Sequence, residues 1–90
     1  MEYDIPALIR LAAPLVGRRA DLTWRPDLND DEALELARSM DALVTVDLQA
    51  NTTTVSHKAT GTSVTEDTTD GVPAAMRLAI LRSAAFMASN

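Results

Sequence analysis

Five carboxylates fall within residues 27–35: Asp27, Asp30, Asp31, Glu32 and Glu35. Acids this dense suit two kinds of chemistry, a cage for a divalent cation or a negative surface offered to a basic partner. A calcium loop needs acids at alternate positions, a central glycine and a closing glutamate. This stretch has no glycine and runs straight into a helical pattern, so the cation reading is the weakest. A structural reading leads, because acids in a helix's first turn are stabilised by the positive end of its dipole. Second comes a recognition surface made of Asp27, Asp30, Asp31, Glu35 and Asp41, imitating a row of phosphates.

Other side chains that could carry chemistry are few. Arg77 and Arg82 stand five apart near the end of the chain and, with Lys58, could grip a phosphate. Alternatively each arginine lays its stem over apolar surface and pairs with an acid. A pair from either one to the cluster at 27–35 would tie two helices together. His57 could act as a general base with Asp47 in a neighbouring strand, provided the two come within hydrogen-bond reach. A packed histidine is the simpler reading. Three glycines cannot build a phosphate-cradling loop, and no G-x-G-x-x-G or G-K-[ST] occurs. The chain has no cysteine, which removes disulfides and thiolate metal sites. No catalytic group, metal or cofactor is therefore expected.

These residues need elements to position them. Asp4 reads as an N-cap, and Ile5, Leu8, Ile9, Ala12, Leu15 and Val16 follow at helical spacing over 5–16. Pro14 should kink or end that helix near Ala13, and Gly17 offers its stop, with Arg18 and Arg19 suiting the negative end of the dipole. Residues 18–28 are irregular, with an extended piece near Leu22–Trp24. Trp24 is expected to be a core anchor, although it and Tyr3 could instead be exposed anchors at an interface. Asn29 opens a second helix over 30–41, and Glu32 stands three residues on in the capping-box arrangement, with Leu28 stapling the start. Ala33, Leu36, Ala37, Met40 and Leu43 form its apolar stripe. Glu35 and Arg38 make an opposite-charge pair on the other side.

The period then changes from 3.6 to 2. Val44, Val46 and Leu48 alternate with Thr45, Asp47 and Gln49, as a half-buried strand requires. A turn at Ala50–Thr52 leads into a second strand over 53–59, with Val55, His57 and Ala59 on one side. Gly61 permits a further reversal into a short third strand over 62–66. Residues 73–88 form the last helix, with Pro73 at its first position. Met76, Ala79, Ile80, Ser83, Phe86 and Met87 share one side, and Leu78, Leu81 and Ala85 the other. A helix apolar on two faces must be covered on both. One face takes the sheet; the other needs the first helix or a second subunit. Met40, Met76 and Met87 serve as gap fillers in a core poor in aromatics.

The pattern specifies a single α+β domain over residues 1–90: three helices packed on a small antiparallel sheet of two or three strands. A net charge of −5 opposes general nucleic-acid binding, which depends on Lys and Arg neutralising phosphates, and favours a basic partner. The apolar stretch 5–16 is broken by Arg10 and Pro14 and is too short to span a bilayer. No leader peptide is expected. At this size stability is marginal, which argues for a homodimer through the last helix or the first.

The order of motifs also resembles a family of small bacteriophage domains of the "ABA sandwich" type. Trp24, Pro26, Asp31, Ala33, Leu34, Leu36 and Ala37 match its Trp-x-Pro opening and "DALxLA"-like helix. Ala74, Ala75, Arg77, Ala79 and Ile80 match its closing Ala-rich helix. Glu32 stands where a second Asp is common, and the first helix is less typical. The resemblance implies an α/β/α sandwich, with a helix on each side of a small sheet, and a phage origin. It implies no reaction. The expectation is a non-enzymatic accessory protein in the host cytoplasm. It would bind a host protein through its acidic surface, as a counter-defence inhibitor does. The alternative is a small-ligand binder, a sponge for a nucleotide signal, using Arg77, Arg82 or Lys58.

Overall fold

The structure, a computed structural model, describes residues 4–17, 24–57, 61–68 and 71–89. Tyr3, Arg18, Arg19, Leu22, Lys58 and Ala59 lie outside this set. In chain order the elements are α1 (Ile5–Ala12), a 3-10 turn (Ala13–Val16), α2 (Asp30–Ser39), β1 (Ala42–Asp47), β2 (Thr52–His57), β3 (Thr62–Asp67) and α3 (Val72–Ser89). The α+β class and all three strands agree with the sequence pattern.

Each helix starts and stops for local reasons. Asp4 accepts the Ala7 N–H at 3.2 Å and caps α1. Pro14 cannot donate to the helix, so the chain tightens into the 3-10 turn over Ala13–Val16. That turn closes at Gly17, whose φ of +67° satisfies the last carbonyls without a Cβ penalty. Asn29 caps α2 by accepting the Glu32 N–H at 3.1 Å. The return bond of the expected capping box is different. Glu32 reaches past Asn29 and accepts the Arg25 N–H at 2.8 Å. Asn29 donates instead to the Arg25 carbonyl at 2.9 Å. The carboxylate thereby pins the connection after Trp24 onto the helix start.

The strands form an antiparallel sheet in the order β1-β2-β3, so β1 and β3 are its edges. Pairing across β1 and β2 sets Ala42 opposite His57, Val44 opposite Val55 and Asp47 opposite Thr52. The central strand shows the clearest alternation. Thr53, Val55 and His57 are buried, while Thr52, Thr54 and Ser56 are only partly covered.

α3 is the middle layer. It packs against β2 and β3 on one side, against α1 on another, and along α2. Ala79, Ile80, Leu81, Ala84 and Ala85 are all buried, so both of its apolar sides are closed within the chain. Phe86, expected on one of those two apolar sides, is 51% exposed. The layers thus run sheet, α3, α1. This differs from the helix on each side of the sheet that the phage-family resemblance implies. The far side of the sheet carries Leu43, Thr45, Asp47, Ser63, Thr65 and Asp67, all exposed. A face of hydroxyls and acids gains little from burial under a helix.

The core joins Ile9, Ala12, Trp24, Leu36, Met40, Val55, Ile80 and Leu81. Trp24 is buried, as expected of the chain's largest apolar side chain. Leu48 and Leu43 are not part of this core. Leu48 lies in the turn after β1, and Leu43 points to the open face.

Candidate functional site

The acid cluster sits where the loop after Trp24 enters α2, and its members part company there. Asp27 turns back to Arg25: its two carboxylate oxygens accept from Nε at 2.9 Å and from Nη2 at 2.7 Å. This bidentate geometry is the strong form of the pair. Hydrogen bonding to Asp27, and then its charge, raise the Arg25 pKa above its ordinary value. Asp30 faces α3, where Arg77 Nη1 donates to its carboxylate at 2.5 Å. Arg77 Nε also donates to the Asp27 backbone carbonyl at 3.0 Å. One guanidinium therefore holds α3 against both the loop and the first turn of α2. This is the cross-helix tie that the charge pattern allowed.

Asp31 and Glu35 remain on the outer side of α2, one turn apart, with exposed Leu34 between them. Arg38 is exposed one turn further along the same side, so that row is mixed in sign at its end. Asp41 is exposed beyond the C-terminal end of α2, in the left-handed region at φ +53°. The helical rise puts it roughly 15 Å from Asp31. The structure accordingly brings Asp31 and Glu35 together, pairs Asp27 and Asp30 with arginines, and sets Asp41 apart.

The phosphate-gripping arrangement is not assembled. Arg77 is committed to Asp27 and Asp30, and Arg82 pairs with Glu66 on β3. The two guanidinium groups thus serve different neighbours, and Lys58 lies outside the described residues.

The strand register also separates the expected acid–base pair. His57 stands opposite Ala42, and Asp47 opposite Thr52, at the other end of the ladder. Five residues of strand set them roughly 17 Å apart, far beyond a hydrogen bond. Asp47 instead shapes the β1–β2 turn, where its Oδ1 accepts the N–H groups of Gln49 and Ala50, both at 3.0 Å. His57 is buried on the core side of β2.

Two features go beyond the sequence reading. One is the alignment of threonines on the open sheet face, where Thr45, Thr54 and Thr65 form a row across all three strands. Thr54 and Thr65 hydroxyls are hydrogen-bonded at 2.9 Å. The other is the exposed apolar content of β1 and the turn after it: Leu43 at 55%, Val46 at 39% and Leu48 at 76%. The signal for the second was present in "LVTVDL", which is apolar at both parities.

Among the described residues, no group of three or more His, Asp or Glu side chains is placed to hold a metal. No described helix is long and apolar enough to cross a membrane. No protein-family model, curated protein or solved structure matches the chain.

Proposed function

We propose that this chain is a phage-encoded, non-enzymatic accessory protein that binds a basic surface on a host protein in the host cytoplasm. It would do so through the outer side of α2. One observation carries the reading. Arg25, Arg77 and Arg82 are each ion-paired to an acid of the same chain, while Asp31 and Asp41 are exposed and Glu35 half-exposed. The net charge of −5 is thereby expressed at the surface, beside apolar Leu28 and Leu34. Apolar contacts ringed by acids suit a partner that is basic and partly apolar. The phage origin rests on the motif resemblance described above, and inhibition of a host defence is the role that best fits a small acidic binder. The nucleotide-sponge alternative is the less favoured reading, since Arg77 and Arg82 already pair with acids.

Capture from infected host cells with tagged protein, read by mass spectrometry, would name the partner. Its affinity should then fall by at least tenfold in the combined variant Asp31→Asn, Glu35→Gln, Asp41→Asn, and lose much of its salt dependence. Unchanged affinity in that variant would remove the acidic face from the argument.

A further inference from the structure

We infer that β1 is a self-association edge: two copies pair their β1 strands antiparallel, about a two-fold axis at Thr45, into one continuous sheet.

The two edges of the sheet are built differently. β3 carries a core-side acid, Glu66, and a charged end, Asp67. Inward-pointing charge and edge charge are the usual defences against strand addition. β1 also ends in an acid, Asp47, but it has no core-side charge, and over Ala42–Val46 it has no proline, lysine or bulge. Its flanks are instead apolar on both sides, through Leu43, Val46 and Leu48. α3 lies chiefly over β2 and β3 and barely reaches β1, and Val46 on the core side stays 39% exposed.

Charge selects the occupant. In a chain of net charge −5, β1 is neutral from Ala42 to Val46, and acids stand only at its two ends, Asp41 just before it and Asp47 as its last residue. A second neutral strand is the complementary surface, and a two-fold axis supplies it from the same sequence. Side chains opposite each other in an antiparallel pair share a face, so the register must preserve parity. Centring on Thr45 does so. Val44 then lies beside Val46 of the second copy on the core side. Leu43 lies beside Asp47 of the second copy on the open side. The two Asp47 residues stay about 14 Å apart along the strands, beyond the screening length at physiological salt. The Thr45–Thr54–Thr65 row becomes continuous across both copies. This inference uses a different surface from α2 and stands independently of the function proposed above.

The test is sedimentation and light scattering of the full chain from about 1 μM to 1 mM, the range expected of a small interface. The wild type should convert from monomer to dimer within it. Thr45→Lys places like charges on the axis and should leave monomer throughout, with an unchanged circular dichroism spectrum. Leu43→Lys sets a cation beside Asp47 of the second copy and should keep the dimer. Simple greasy association would instead be lost with Leu43. Amide exchange on wild-type protein needs no variant: protection in β1 should rise with concentration while that in β3 stays constant. Monomer at every concentration, a Thr45→Lys dimer, or concentration-independent β1 exchange would each overturn the inference. So would a wild-type edge that stays monomeric and takes up an added extended peptide.

Discussion

Thr53 illustrates how much one side chain's surroundings decide. It faces the core from the middle strand, is fully buried, and its Oγ1 has no hydrogen-bond partner among the described residues. A buried hydroxyl left unpaired costs about 1–3 kcal/mol relative to one that is satisfied. Valine has nearly the same shape and no polar atom. Thr53→Val should therefore stabilise the domain by about 1 kcal/mol, seen as a higher urea midpoint with an unchanged slope. A lower midpoint would show that the hydroxyl is satisfied in solution. The threonine run at 52–54 carries no parity signal of its own, and only its spacing to Val55 and His57 marks Thr53 as facing the core, with Thr52 and Thr54 facing away. Arg77 was easier to interpret. Its helical position and the acids at 27–35 permitted a cross-helix pair, and the structure makes one with Asp30.

Among the elements, α2 was legible because its start is chemically explicit: an Asn cap, three acids in its first turn and a stripe at Ala33, Leu36 and Ala37. Only the reach of Glu32 to Arg25 could not be foreseen, since it depends on how the loop folds back. The hairpin was legible in kind but not in register. Alternation at Val44 and Val46 marks a strand, whereas the ladder is set by the turn over Leu48–Asn51, whose length alternation does not fix. That register is what parts His57 from Asp47. Asp47 matters to the turn because it accepts two N–H groups there, with Asn51 in the left-handed region at φ +55°. Asp47→Ala should accordingly cost about 1 kcal/mol in chemical denaturation, whereas Asp47→Asn keeps an acceptor and should cost less than half of that. Equal losses in the two variants would mean that the carboxylate charge, not its acceptor geometry, shapes the turn.

For the whole molecule the question is how a chain this small closes its core. Two apolar faces on the last helix were plain in the sequence, but which of them would meet another chain was not, because α1 and a second subunit are equivalent covers by pattern alone. The structure uses α1, with Ile9, Ala12 and Ala13 buried in the cluster that contains Ile80 and Leu81. That choice moves the exposed apolar surface from α3 to β1 and leaves the last turns of α3 nearer to solvent. Leu81 and Phe86 then make a sharp contrast within one helix. Leu81 is fully buried, and cutting it to alanine should cost about 2–5 kcal/mol, a large share of the roughly 5–15 kcal/mol that holds a small domain together. Phe86 is larger but 51% exposed, so Phe86→Ala should fall within about 0.5–1 kcal/mol of wild type. The comparison is best made at low micromolar concentration by thermal unfolding, where self-association through β1 contributes least. If Phe86→Ala proves as damaging as Leu81→Ala, the end of α3 is covered in solution, and the closure of the core by α1 alone is incomplete.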